Sequence, residues 1–221
     1  ILVGVTFGNN TFVSVGGVYN LMGWEGTILT STDGTSWTSR TSGTSNLLYR
    51  ITYGNSTFVT VGRSGTILTS SDGTSWDNRT SGTTNNLYGV TYGNGLFVVV
   101  GGNGTILTSS DGISWTSRTS GTSNSLSGVT YGNGTFVTVG YSISSSSTST
   151  SDNSTPTITT VKSTTTLTSS DGVTWTLRDS GTSNELRGNI TYGNGLFVTV
   201  GWEGTILTSS DGISWNNRTS G

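Results

Sequence analysis

The chain has 221 residues, a net charge of −2, no Cys and no His, which excludes disulfides and thiolate metal sites and removes the commonest general base. Only 9% of residues are charged, against the usual quarter. With no basic run, phosphate neutralisation is not the basis of any binding, and no apolar run approaches membrane-spanning length.

Such a composition resembles that of disordered chains, but those lack regular aromatic and β-branched residues, whereas here Trp, Tyr, Phe, Val and Ile recur on a fixed period. Ala is absent, Lys occurs once and Gly occurs 34 times, so strands and turns are favoured over helix. The chain opens on Ile1 without a signal-like segment, as a processed product or a portion of a longer chain would.

In chain order, the first unit predicts strands at Val5–Phe7 and Phe12–Val15. An enlarged loop, Gly16–Glu25, holds Val18, Tyr19, Leu21, Met22 and Trp24. The stretch Thr27–Trp37 follows and returns as Thr66–Trp76, Thr105–Trp115, Thr165–Trp175 and Thr205–Trp215. The second unit is regular, with Arg63-Ser64 between its second and third strands. The third is the shortest, with strands Val90–Tyr92, Phe97–Val100 and Thr105–Thr108 and a fourth starting at Trp115. Its Gly93-Asn94-Gly95 and Asp111-Gly112 are tight-turn signals, because Asn and Gly accept positive φ cheaply. The fourth unit carries a Ser/Thr-rich insert, 141–163, with Asp152, the sole Pro156 and Lys162. It reads as a mobile or glycosylated projection, in which Ile158 and Val161 allow a short hairpin. The fifth returns to the pattern with Trp202-Glu203 in the loop.

The five Trp at 37, 76, 115, 175 and 215 are 39, 39, 60 and 40 residues apart. Four strands per period of about 40 residues match a propeller blade. The second strand is apolar on both faces, as a sheet between two neighbours requires. The expected fold is all-β, a five-bladed β-propeller in one domain, with blades near 1–43, 44–82, 83–121, 122–181 and 182–221. The chain starts with an innermost strand and ends after an outermost one, so closure rests on blade 1 packing against blade 5.

The recurring Ser71-Asp72-Gly73-Thr74-Ser75-Trp76 resembles the Asp box of sialidase-like (BNR-repeat) propellers, one residue shorter than the usual form. The resemblance implies a hairpin between the third and fourth strands, with Asp bonding amides of its own turn and the aromatic packed beneath. Asp33, Asp72, Asp111, Asp171 and Asp211, with Trp37, Trp76, Trp115, Trp175 and Trp215, are accordingly expected to be structural. The repeated Arg40, Arg79, Arg118, Arg178 and Arg218 are expected to blunt the outer edge and pack their stems. They do not form the clustered triad of a sialidase, and Glu25, Glu185 and Glu203, the only Glu residues, supply no recognisable nucleophile pair.

Function is sought where the repeats disagree. Trp24-Glu25 and Trp202-Glu203 share one position in blades 1 and 5, where a stacking aromatic beside a carboxylate suits a sugar. The bland reading is that both Trp cover the blade 1–5 seam. Eight sequons stand at Asn9, Asn55, Asn78, Asn103, Asn133, Asn153, Asn189 and Asn217. The expectation is an extracellular or cell-surface structural or adhesive module, glycosylated and not an enzyme, with no cofactor or metal. Its partners would be glycans, surface proteins or other copies of itself. The alternative is a lectin with a site at the blade 1–5 seam, and more remotely a sialidase-like glycoside hydrolase.

Overall fold

The computed structural model describes residues 1–20, 23–148 and 157–220. The chain is all-β, with five four-stranded antiparallel sheets in sequence order. Blade 1 holds β1 (Leu2–Gly8), β2 (Thr11–Asn20), β3 (Gly23–Ser31) and β4 (Thr38–Thr41). Blade 2 holds β5 (Leu48–Gly54), β6 (Thr57–Gly62), β7 (Ile67–Ser70) and β8 (Asp77–Arg79). Blade 3 holds β9 (Leu87–Gly93), β10 (Leu96–Gly101), β11 (Ile106–Ser109) and β12 (Thr116–Arg118). Blade 4 holds β13 (Ser125–Gly132), β14 (Thr135–Thr148), β15 (Thr157–Ser169) and β16 (Thr176–Arg178). Blade 5 holds β17 (Ile190–Gly193), β18 (Leu196–Val200), β19 (Ile206–Ser209) and β20 (Asn216–Arg218). The architecture is the five-bladed β-propeller expected, and the inner strands β1, β5, β9, β13 and β17 touch in chain order.

Both enlarged loops extend strands. β2 and β3 stay paired out to Asn20 and Gly23, so most of Gly16–Glu25 is a hairpin arm rather than a loop. In blade 4, β14 and β15 pair from Phe136↔Ser169 to Thr148↔Thr157. The insert is therefore a long two-stranded arm, the hairpin alternative, and Asp152, Asn153 and Pro156 lie outside the described residues.

The Asp turns hold each blade's third and fourth strands in place. In blade 2, Asp72 Oδ1 accepts from the amides of Thr74 and Ser75 at 2.7 and 2.9 Å and from Ser70 Oγ at 2.9 Å. Trp76 Nε1 donates to the Gly73 carbonyl at 3.1 Å. Asp33, Asp111, Asp171 and Asp211 accept the same two amides. Trp37, Trp115 and Trp175 repeat the indole bond, while Trp215 keeps the position without it. Each repeated Arg donates Nε to a Thr hydroxyl of the neighbouring third strand, Arg79 to Thr69 at 2.7 Å, with equivalents at Arg40, Arg118, Arg178 and Arg218. The five arginines are thus bound within their own blades.

The core lies between blades. One cluster joins Val13, Val15 and Ile28 of blade 1 to Leu48, Ile51, Phe58 and Leu68 of blade 2. Equivalent clusters join blades 2 and 3, 3 and 4, and 4 and 5. No such cluster among the described residues joins blade 5 to blade 1. Instead Leu2, Val5 and Phe7 on one side and Leu196 and Val200 on the other are exposed. The expected closure through blade 1 on blade 5 is not made. The missing contact shows at the glycines: Gly132 of blade 4 lies against the Tyr192 ring of blade 5, whereas Gly193 of blade 5 has nothing within 4 Å of where its Cβ would be.

Candidate functional site

Blades 1 to 4 each free one residue on the inner strand. In β5 the register shifts between Leu48 and Arg50, so Tyr49 has no partner in β6. The same bulge frees Val3 in β1, Tyr88 in β9 and Ser127 in β13. Arg187, which follows the buried Leu186, is the blade 5 counterpart. A bulge re-aims a side chain without ending the sheet. The preceding Leu is repeated in all five blades and buried in four. The freed residue differs almost every time: Val3, Tyr49, Tyr88, Ser127, Arg187.

Four of these five residues, or their neighbours, meet in a cleft of about 250 Å³ lined by Tyr49, Arg50, Tyr88, Ser127, Tyr141 and Arg187. The rings of Tyr49 and Tyr88 stand 5.5 Å apart. Arg187 lies over Tyr141 at 4.4 Å and over Trp202 at 5.2 Å, and donates Nε to Glu185 Oε2. Glu185 is 3% exposed and also meets Lys162 at 3.7 Å. That carboxylate neutralises one cation of the cleft.

Arg50 differs. Its Nη1 donates to the carbonyls of Val3 and Tyr49 at 2.7 and 2.9 Å, and among the described residues it has no carboxylate partner. Burial pulls its guanidinium below the ordinary value, yet an Arg in a protein stays charged. Burial, with Tyr88 alongside, pushes the Tyr49 phenol up, and Arg63 opposes this. The cleft is therefore an aromatic pocket with one uncompensated cation. It offers phenol and guanidinium donors to an anionic group and ring faces to an apolar or flat one.

The sequence-derived pairs are not one site. Trp202 is exposed and packs on Arg187, and Glu203, at φ 56°, meets Lys162 at 4.0 Å. This pair therefore borders the cleft on the blade 4–5 side. Glu25 lines a separate shallow groove of about 790 Å³ with Val18 and residues 39–45. The side chain of Trp24 lies outside the described residues. No described contact or cavity joins the two pairs. Among the described residues no cluster of acidic side chains is arranged to hold a metal, and no helix is long and apolar enough to cross a membrane.

No family model and no curated protein matches the chain. Solved structures do. A structure of YCF48 bound to D1 peptide matches at 18% identity and TM-score 0.65, over 97% of this chain and 65% of that one. The computationally designed Ika8 protein matches at 13% and 0.66, over 98% and 61%. A nidogen–laminin complex matches at 12% and 0.57, over 94% and 75%. The chain spans less than two thirds of the first two structures. At these identities the likeness is one of fold, a β-propeller built of repeats.

The solved propellers it resembles also include an α-L-arabinofuranosidase from Clostridium thermocellum, an endo-1,4-β-xylanase from Bacteroides thetaiotaomicron and an exo-1,5-α-L-arabinanase from a bovine ruminal metagenomic library, at TM-scores of 0.43 to 0.47. This corrects the expectation that the chain is not an enzyme. That expectation rested on missing sialidase residues, which speak to one reaction only, and fold alone does not decide between catalyst and binder.

Proposed function

We propose that the protein is a protein-binding propeller whose inner-strand cleft anchors an acidic side chain or chain terminus of an extended partner segment. The observation that carries this is the convergence of the non-repeated bulge residues on one cleft containing Arg50, a half-buried cation without a carboxylate partner. Size supports the same reading. About 250 Å³ falls below the ~300–1,000 Å³ of ordinary small-molecule pockets, and suits one anchoring group better than an oligosaccharide. The YCF48 structure, a propeller of similar fold with a bound peptide, supports it by analogy.

An adhesive role at a cell surface is part of the same proposal, with Asp-box ancestry as the source of the repeat. The seven sequon asparagines within the described residues, Asn9, Asn55, Asn78, Asn103, Asn133, Asn189 and Asn217, are exposed, which suits glycosylation. Three of them already donate Nδ2 across a blade boundary, Asn9 to Ser71, Asn55 to Ser110 and Asn133 to Ser210.

The test is fluorescence anisotropy with labelled acidic decapeptides and their Gln/Asn counterparts. Acidic peptides are expected to bind, more weakly as salt rises, and Arg50→Gln to remove binding while circular dichroism shows the sheet kept. Equal affinity for neutral peptides, or indifference to Arg50→Gln, would sink the reading. A glycan that bound where no peptide did would replace it with the lectin.

A further inference from the structure

The two unclosed ends of the blade array are complementary halves of an interface the chain already makes four times. We propose that they dock on each other between copies, so that blade 1 of one molecule packs on blade 5 of the next and the protein assembles head to tail.

Blade 1 presents the face that blades 2 to 5 bury. Leu2, Val5 and Phe7 are 50, 63 and 54% exposed, whereas their blade 2 counterparts Leu48 and Ile51 are 0 and 8% exposed and Tyr53 is packed in the seam. Blade 5 presents the opposite face. Val200 is 46% exposed and Leu196 38%, whereas Val100 of blade 3, the counterpart of Val200, is fully buried.

The free face of blade 1 keeps the geometry of a buried one. Phe7–Phe12 and Phe12–Trp37 centroids are 4.6 and 6.4 Å apart. In blade 2 the same pairs, Tyr53–Phe58 and Phe58–Trp76, are also 4.6 and 6.4 Å apart. The surface is therefore pre-organised for a blade.

Three particular contacts fix the register. At each internal seam an aromatic ring covers a bare glycine of the preceding blade: Tyr53 on Gly8, Tyr92 on Gly54, Tyr131 on Gly93 and Tyr192 on Gly132. Gly193, the blade 5 equivalent, has nothing within 4 Å of where its Cβ would be, and Phe7 is the ring without a glycine. At the internal seams the glycine of the Asp turn meets a Val of the preceding blade, Gly73 against Val13 and Gly112 against Val59. Gly34 meets only its own Phe12, which leaves it for Val198. Finally, Asn9, Asn55 and Asn133 donate to the carbonyl before the next blade's Asp, and Asn194 holds the same sequence position in blade 5.

A second copy can cover both end faces and leave the four internal seams as they are. Such a contact joins unlike faces, so it propagates into a ring or a filament. It rests on the end faces and not on the cleft, so either proposal can fail alone.

Two variants block one face each. Gly193→Val places its Cβ where nothing lies within 4 Å and fills the slot for Phe7. Val5→Lys puts a charge on an exposed position of the other face. Sedimentation velocity on the wild-type chain is expected to show species that are multiples of 22.9 kDa and grow with concentration. Each variant alone should be monomeric with an unchanged melting temperature. Their 1:1 mixture should give a dimer and nothing larger, since one free head meets one free tail. A wild-type chain that stays monomeric at every concentration, a variant that assembles as wild type does, or a mixture that stays monomeric overturns the proposal.

Discussion

The ring of Tyr192 lies against Gly132 so closely that a methyl group there would stand 2.1 Å from ring atom Cγ. The pair spans the boundary between blades 4 and 5, and its equivalents span the other three internal seams. None of Gly8, Gly54, Gly93 and Gly132 has a positive φ. Their lack of a side chain serves the approach of the next blade's ring, while Asn94 (φ 48°) and Gly95 (φ 74°) make the turn itself. The Tyr-Gly-Asn repeat is thus a seam as much as a turn.

The seam predicts a graded set of mutants. Gly54→Ala, Gly93→Ala and Gly132→Ala each force a Cβ to within 2.2 Å of a half-buried Tyr ring packed in the seam. Each is expected to cost about 1–3 kcal/mol, the usual range for overpacking. Gly193→Ala is expected to cost nothing in the monomer, because the space is open. Urea denaturation followed by Trp fluorescence checks this, and equal losses at all four positions would contradict the open end.

The cores predict a second contrast. Phe97 is fully buried between blades 2 and 3, so Phe97→Ala is expected to cost about 3–5 kcal/mol. Phe12 holds the same position in blade 1 but is partly exposed. Phe12→Ala should cost clearly less in the monomer, since little cavity forms where solvent already reaches. Thermal melts of the two variants at low protein concentration separate them.

The blades were legible because their signals are local. The Trp period, the Asp-Gly turns and the doubly apolar second strand each report on a few neighbouring residues, and the Asp72 turn has the bonds its sequence suggests. The cleft was less legible. A bulge is a property of strand pairing, and no propensity marks Tyr49 or Ser127 as the freed residue. One signal was available: the column after the repeated Leu reads Val3, Tyr49, Tyr88, Ser127 and Arg187, and varies within an otherwise regular strand. Reading disagreement only in the enlarged loops led to Trp24-Glu25 and Trp202-Glu203 as a pair. The open seam could not be read at all, because blades 1 and 5 carry the same apolar residues as the rest.

The Asp turns predict an acid limit to stability. Backbone amides, first those of Ser36, Ser114, Thr174 and Ser214, hold Asp33, Asp111, Asp171 and Asp211 below the usual carboxylate range. A bond from Thr74 does so first for Asp72. Asp171 is lowered to about 2. A carboxyl with a depressed folded pKa contributes stability that is present above its unfolded pKa, near 3.9, and lost as pH falls through the folded pKa. The melting temperature is therefore expected to be flat above about pH 5 and to fall between about pH 4 and pH 2. Asp72→Asn should lessen that fall, because Asn keeps an acceptor but does not titrate. A melting temperature that rose on acidification would refute this account.

The cleft predicts an anomalous phenol. Burial and the neighbouring Tyr88 raise the pKa of Tyr49 above the ordinary 10.0, with Arg63 pulling the other way. In an ultraviolet titration of the folded protein, one of the eight Tyr residues should ionise later than those with exposed hydroxyls. Tyr49→Phe should remove that late step. Binding of an anionic segment beside Arg50 should push the step later still, because a second negative charge in the cleft disfavours the phenolate. A titration in which Tyr49→Phe removes an ordinary phenol instead would show that the cleft is open to water, and Arg50 would then be too well screened to select an acidic partner.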